Sequence, residues 1–375
     1  MKIVLIGPVY PFKGGISHYT GLLYRSLSKS HDVTMLSFKM QYPKILFKKE
    51  QRDYSNDSFK IEDTDYQINT ANPFNWISTA NKINKIAPDL VIFQWWHPYF
   101  APCFYSICKG IKKHTKILFT CHNVFPHERF PMDRTLAKAV LKQGDYYIVQ
   151  SKMDEQDLES IKPGAKHRVA VHPTYNAFKF EDMSKDKARE LIGIDNQRPV
   201  ILFFGFVREY KGLKHLINAM PKVLEKKADT LLLIVGDFAG DKEQYTDLIK
   251  EKGISDNVAI YDGYIPDKEV EKYFAASDAV VLPYESATQS GIVQIAYGFE
   301  KPVIATNVGG LPEVVLNEKT GYVVPQGDDE ELANKIVVFF EQNKAEEFKE
   351  NIKLEAYKYS WDRMNEHIEA LYGEN

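Results

Sequence analysis

The stretch Val280–Glu313, VVLPYESATQSGIVQIAYGFEKPVIATNVGGLPE, leaves the chain few folds to choose from. The apolar run Val280–Leu282 ends at Pro283, which has no N–H for a sheet ladder, so a strand stops there. Ser286–Gly291 is small and polar, a loop whose backbone N–H groups can approach a ligand. Ile292–Phe299 has the length and apolar content of a helix, and Pro302–Ala305 reads as a short buried strand. Gly309, Gly310 and Pro312 punctuate a second loop that opens another helix. Two helix N-termini, each preceded by small residues, predict a site for an anion, most simply a phosphate.

The same strand–loop–helix unit recurs from the first residues. Ile3–Ile6 is an apolar run ended by Gly7-Pro8, and Ile16–Leu27 has helical spacing at Ile16, Tyr19, Leu22, Leu23 and Leu27. Gly14-Gly15 falls where that loop meets the helix. The pair reads either as a phosphate loop or as a plain tight turn, and no G-x-G-x-x-G fingerprint accompanies it. Strands are predicted at Val33–Phe38, Leu90–Gln94, Ile117–Thr120, Tyr146–Gln150 and Val169–His172, with helices over Pro73–Ile86 and Phe100–Ile111 and another capped by Ser151. Pro173–Ser184 has no strong period and reads as a linker. The pattern restarts with Val200–Phe204, ended by Gly205, and Leu231–Val235, ended by Gly236-Asp237. Val258–Ile260, Val280–Leu282 and Tyr322–Val324 follow, with helices between them and a last amphipathic helix over Trp361–Tyr372. This alternation predicts an α/β chain of two doubly wound parallel sheets facing each other across a cleft lined by strand carboxyl ends.

Charge is divided unevenly. Residues 1–178 hold 24 Lys and Arg against 15 Asp and Glu, a balance of +9, and the remainder balances at −12. A basic front half suggests an anionic partner: a membrane leaflet, a phosphorylated acceptor, or nucleic acid, the last disfavoured because no binding motif accompanies the charge. Residues 40–60 combine Ile45, Leu46 and Phe47 with Lys44, Lys48, Lys49 and Arg52, as either a solvated loop or one lying on a membrane surface. No apolar run is long enough to span a bilayer. The beginning reads as a first strand rather than a signal peptide, and Cys103, Cys108 and Cys121 lack metal spacing, so a cytoplasmic location is expected. Asp63-Thr64-Asp65 hints at a divalent metal but has no third ligand nearby, and no metal site is expected.

Several groups converge on strand ends. Arg208 and Lys211 follow Val200–Phe204, and the amides of Ser290-Gly291 and Gly309-Gly310 open helices. His122 stands at the end of Ile117–Thr120, where open α/β sheets bind ligands; His127-Glu128 follows it, and no helical His pairing suggests zinc. Cations beside helix N-termini suit a diphosphate, the group that leaves when a sugar is taken from a nucleotide sugar. They would stabilise the charge growing on its oxygen.

The segments GPVYPFKGGISHY, TCHNVFPHE, FFGFVREYKG, PYESATQSG and KPVIATNVGGLPEVV resemble glycosyltransferase family 4, a retaining family with the two-Rossmann GT-B fold, nearly end to end. The resemblance implies an acceptor-binding domain over 1–178, a donor-binding domain over 185–359, and a crossover helix at 360–375 packing back on the first. It implies transfer of a sugar from a UDP- or GDP-linked donor, without a metal or other cofactor. The basic front half and the apolar-plus-basic segment Ile45–Lys49 add the expectation of a lipid-linked or polysaccharide-precursor acceptor in bacterial cell-surface glycan synthesis, with the chain cytoplasmic and peripheral to the inner leaflet. Lys211 matches the family's phosphate-gripping lysine. Arg208 stands two places beyond the usual arginine position, here Phe206. His122 matches the histidine near the transferred sugar, so His122, Lys211 and Arg208 are the expected catalytic residues. Gly14, Gly15, Gly205, Asp237, Tyr264, Thr288, Gln289, Ser290, Gly291 and Ile292 are the expected donor-binding set. The family's two glutamates eight positions apart fall on Ala287 and Ile295, as in a subgroup with a SATQSG loop. Glu285 and Gln294 lie nearby at other spacings, and Glu128 and Glu313 are acids by residue type only. That departure keeps two other readings open: a non-catalytic nucleotide-sugar or glycan-binding module, and a nucleotide-sugar epimerase on the same fold.

Overall fold

The computed structural model describes residues 1–47, 50–54, 57–126, 131–175, 178–238, 240 and 242–374. Lys48, Lys49, His127 and Glu128, singled out above, lie outside the described residues. The chain divides into two compact units, Met1–Val171 together with Trp361–Asn375, and His172–Ser360.

The first unit runs β1 (Lys2–Ile6), α1 (Gly15–Leu27), β2 (Asp32–Met40), β3 (Asp65–Asn69), α2 (Pro73–Ile86), β4 (Leu90–Trp95), α3 (Ala101–Gly110), β5 (Lys116–Cys121), α4 (Asp133–Leu141), β6 (Tyr146–Val149), α5 (Lys152–Ile161) and β7 (Lys166–Val169). Among the described residues these strands form one seven-stranded parallel sheet in the order β3-β2-β1-β4-β5-β6-β7. Central strands such as β4, LVIFQW, are buried along their whole length because helices cover both faces. Both edge strands depart from the sequence reading. β3, DYQIN, was not expected, since Ile68 alone in it is fully buried. β7 pairs with β6 over Lys166–Val169 rather than Val169–His172. An edge strand needs no continuous apolar run, so hydrophobic patterning does not locate it.

Helices α2 to α5 bury Ile83, Phe104, Val140 and Leu158 on one face, against Phe93, Phe119 and Tyr147 of the sheet. The last helix, Trp361–Gly373, packs beside α1: Trp361 meets Tyr19 edge-on at 5.0 Å, and Asn365 donates to Ser26 Oγ at 2.9 Å. Cys103, Cys108 and Cys121 are buried and unpaired, and burial pushes the Cys103 thiol up to about 12.

The second unit runs α6 (Lys185–Leu191), β8 (Val200–Phe204), α7 (Leu213–Lys226), β9 (Leu231–Gly236), α8 (Lys242–Glu251), β10 (Val258–Asp262), α9 (Asp267–Ala276), β11 (Ala279–Leu282), α10 (Gly291–Gly298), β12 (Val303–Thr306), α11 (Leu311–Val314), β13 (Gly321–Val324), α12 (Asp329–Glu341) and α13 (Ala345–Glu355); the terminal helix is α14. Its described strands make a six-stranded parallel sheet, β10-β9-β8-β11-β12-β13. Leu216, Met220, Ile249 and Ile336 of α7, α8 and α12 fill one face. On the other, Phe274 of α9 packs on Phe204 and Phe299, with centroids 4.9 and 5.3 Å apart.

The segment read as a linker belongs to this second unit. Phe180 and Glu181 donate their N–H groups to Glu271 Oε2 at 2.8 and 2.9 Å, and Met183 donates to Oε1 at 2.8 Å. A carboxylate that is 1% exposed thus fixes backbone that has no apolar period of its own.

Candidate functional site

Strand order in the second sheet reverses between β8 and β11: β9 and β10 lie on one side, and β12 and β13 on the other. Loops leaving neighbouring strands in opposite directions open a crevice at such a point, at the carboxyl ends. The loops after β8, β11 and β12 meet there. Glu285 N–H donates to Tyr210 O at 2.7 Å, and Gly310 N–H to Thr288 O at 2.9 Å. Gly309, at φ +50°, brings its Cα so close that a Cβ would stand 1.5 Å from Ala287 O. A side chain there would push the two loops apart.

Lys211 ends a 3₁₀ turn, Glu209–Lys211, and its ammonium folds back over the end of β8. Nζ would be 3.1 Å from a Cβ on Gly205, whose φ of +104° also requires glycine. It lies 5.6 Å from the Tyr284 ring centroid. Burial lowers its pKa; the Arg208 charge lowers it further, and Tyr210 acts in the opposite sense. Among the described residues neither Lys211 nor Arg208 has a carboxylate partner. Glu285, the nearest acid in sequence, is engaged elsewhere: Lys214 at 2.9 Å and His215 at 3.2 Å, with His215 bonded in turn to Asp329 at 2.6 Å. Lys214 is the main cause of its lowered carboxyl pKa.

Beside this cation begins α10. Ser290 caps it, accepting from Ile292 N–H at 3.3 Å, and the first turn holds no acid. Ile292 Cδ1 lies 3.5 Å from a Cβ on Gly205, which ties the start of α10 to the end of β8. The unsatisfied N–H groups of a capped helix start and the Lys211 ammonium give one sign of field at one place. That combination favours an anion. Gln289 and Gln294 each carry a buried Oε1 with no hydrogen-bond partner among the described residues. Gln294, set aside earlier for its spacing, therefore joins Gln289 as an unsatisfied acceptor at this helix start. The two expected glutamate positions, Ala287 and Ile295, are 5% and 8% exposed and serve packing.

Asp237 follows β9 and accepts the Val207 N–H through its backbone carbonyl at 2.9 Å, placing it beside the Lys211 loop. Tyr264 follows β10 and is exposed. Thr288 is buried in the β11–α10 loop, and Gly291 is the first residue of α10. The second helix start, α11, is a single turn of four residues rather than a full helix.

Gly14, Gly15 and His122 belong to the first unit. Gly14 stands before α1 at φ +106°, with no side-chain cap and no acid in the first turn; a Cβ on Gly15 would meet nothing within 4 Å. His122 is 2% exposed. Its Nε2 lies 2.8 Å from Gln94 Oε1 and its Nδ1 3.4 Å from Gln150 Nε2. The imidazole is thus held between two glutamine amides. Asp65, half of the weak metal hint, lies in β3 and pairs with Lys82. Among the described residues no group of three His, Cys, Asp or Glu is placed to hold a metal ion.

Residues 184–358, within the second unit, match the family model of glycosyl transferases group 1. An uncharacterised glycosyltransferase of Methanocaldococcus jannaschii is 32% identical over 235 residues, covering 60% of this chain and 59% of that protein. A D-inositol 3-phosphate glycosyltransferase of Segniliparus rotundus is 28% identical over 198 residues, 51% of this chain and 41% of that protein. The chain thus spans roughly half the length of these curated relatives. The structure of Anabaena HepE in complex with UDP superposes over 100% of both chains, with a TM-score of 0.75 at 17% identity. At that identity the likeness establishes the fold, two Rossmann-like α/β units of the GT-B type.

Proposed function

We propose that this chain is a retaining glycosyltransferase that moves a sugar from a nucleoside-diphosphate sugar to a lipid-linked or polysaccharide-precursor acceptor in bacterial cell-surface glycan synthesis. The observation that carries the reading is Lys211, a cation lacking a carboxylate partner among the described residues, beside the capped start of α10 at the switch point, with the exposed Arg208 three residues before it in the same loop. Anabaena HepE, similar in fold, is known in complex with UDP and with UDP-glucose, which supports a UDP-linked donor over a GDP-linked one.

In this reading the diphosphate lies across Lys211 and the α10 amides. The bond from the anomeric carbon to the diphosphate oxygen breaks, and its electron pair stays on that oxygen, where Lys211 and Arg208 stabilise it. The acceptor hydroxyl attacks from the same face and passes its proton to the departing phosphate, which accounts for retention without a carboxylate nucleophile. His122 is given no proton-transfer step, because both ring nitrogens are already engaged. The two cations take the charge-neutralising role, and no metal is assigned. No described helix is long and apolar enough to cross a membrane. The site of action in this proposal is the cytoplasmic surface of the plasma membrane.

The test is thermal unfolding with UDP, GDP, ADP, dTDP and CMP and their sugar conjugates, with and without EDTA. A ligand at a hundredfold its Kd adds about 2.7 kcal/mol, a shift on the order of 5–10 °C. We expect a selective shift with one nucleoside diphosphate, unchanged by EDTA, and slow release of that diphosphate from its sugar conjugate. Binding without any turnover would favour the non-catalytic module, for which Ala287 and Ile295 at the expected glutamate positions already speak. A shift that vanishes in EDTA would return the diphosphate to a metal.

A further inference from the structure

The outer surface of α2, α3 and α4 contains no exposed acid. α2 and α3 have no aspartate or glutamate at all, and the one acid of α4, Asp133, is 4% exposed. These helices pack side by side on one face of the first sheet. Their carboxyl ends meet at one edge: Asn84 at the end of α2 donates to Gly110 O at 2.8 Å and accepts from Lys112 N–H at 3.0 Å. Lys85, Lys109, Lys113, Lys138 and Lys142 gather along that edge, all exposed, none with a carboxylate within 4.0 Å among the described residues. By contrast, lysines of the second unit are widely paired, as in Lys222–Glu330, Lys272–Glu269 and Lys349–Glu346. At the opposite end of the same layer α2 leaves Phe74 83% and Ile77 60% exposed. Thr70 Oγ1 donates to Gln41 O at 2.8 Å just before α2, which brings the exposed Ile45 and Leu46 loop to that end.

We propose that this three-helix face is a membrane-docking surface for anionic phospholipid headgroups, with Phe74, Ile77, Ile45 and Leu46 entering the headgroup boundary at one end. It rests on the peripheral-membrane part of the function proposed above and specifies where contact is made. Like charges without counter-charges repel one another and persist where something anionic covers them. Apolar side chains at one end of a cationic plane match a bilayer, whose interface has charge outside and hydrocarbon beneath. A nucleic acid would meet the lysines but has no use for Phe74 and Ile77. The acid-free surface stops at α5, which carries Glu155, Asp157 and Glu159.

The test uses the full chain and vesicles of phosphatidylglycerol with phosphatidylcholine, or phosphatidylcholine alone, in sedimentation at 50 and 500 mM salt. Wild type is expected on the anionic vesicles at low salt and largely off the neutral ones. Each cation near such a surface contributes about fivefold in partitioning. The triple variant Lys109→Glu, Lys113→Glu, Lys138→Glu should therefore lose on the order of a hundredfold. Phe74→Ser with Ile77→Ser should remove whatever binding survives 500 mM salt. A control with Lys226→Glu, Lys250→Glu and Lys268→Glu in the second unit should sediment like wild type. Undiminished binding by the triple variant, equal loss by the control, or tighter binding to duplex DNA than to anionic vesicles would overturn the proposal. The nucleoside-diphosphate shift, measured on the same proteins, reads the other unit. Vesicle binding with no nucleotide shift sinks the glycosyltransferase reading and leaves this surface standing, and the converse sinks the surface alone.

Discussion

At the residue scale the molecule turns on an ammonium, that of Lys211, which has no carboxylate partner among the described residues. Lys211→Met keeps the aliphatic stem over Tyr284 and removes the charge. If the lysine stabilises the leaving diphosphate, the loss is on the order of 3 kcal/mol, about a hundredfold in kcat, with the fold intact. Activity unchanged in a folded variant would remove Lys211 from the site. Its pKa is lowered chiefly by burial, so in the free protein it gives up its proton at a lower pH than an exposed lysine does. Affinity for nucleoside diphosphate should then fall as pH rises through the alkaline range, and Lys211→Arg should move that fall upward. Stability runs the other way. The unfolded chain holds the proton more tightly than the folded one, so the burial penalty is relieved as pH climbs through the lowered pKa. The stability of wild type relative to Lys211→Met is expected to rise with pH, and a flat difference would mean that the ammonium bears no such penalty. Lys211 was legible in the sequence as a cation at a strand end. Gln294 was not, because only the fold shows that its Oε1 is buried without a partner.

At the element scale the least regular segment is held by the most specific contact. Residues 180–183 have no period that would fix them, and Glu271 of α9 accepts three of their N–H groups. Glu271→Gln replaces one acceptor oxygen by an NH₂ that faces donors. We expect a loss on the order of 2 kcal/mol and faster amide exchange confined to 180–183. Protection that stays uniform would mean the segment is held by its neighbours instead. The long central strands and amphipathic helices were readable because burial on both faces imposes a pattern on every residue. Edge strands β3 and β7 were not, since half of each faces outward and pairing alone decides where they begin.

At the scale of the whole chain, α14 completes the first unit although the whole second unit, His172–Ser360, lies between it and β7 in sequence. Met364, Ile368 and Leu371 are each no more than 2% exposed, on a helix that packs against α1, β6 and β7. Polar contacts flank them, Lys29–Asp362 at 3.4 Å and His31–Glu369 at 2.9 Å, and Arg168 with Glu374. Ending the chain at Ser360 removes at least three buried side chains, each contributing about 1.5–3 kcal/mol. The first unit should lose roughly 5 kcal/mol or more, seen as an early transition in calorimetry, while the second keeps its own transition and its nucleotide response. A single transition shifted as a whole would instead show that the two units unfold together. Counting α14 with its unit changes the charge division to 25 basic against 19 acidic residues in the first unit and 23 against 32 in the second, or +6 and −9. The asymmetry persists, and within the first unit it concentrates on the α2–α4 face.

The sequence by itself determined the class of fold, two parallel α/β sheets, and the loops that carry Lys211, Arg208 and Ser290. Repeating apolar runs, strand-ending glycines and Pro283 act over a few residues, and local chemistry is enough to read them. Tertiary structure alone decided which of those loops meet, because β8 and β11 are 75 residues apart and adjacency depends on strand order. It also decided that Glu285 is tied to Lys214 and His215, that His122 lies between two glutamines, and that lysines of three separate helices whose outer faces carry no exposed acid share one edge. Those are properties of pairing across long stretches of chain. No local pattern encodes them.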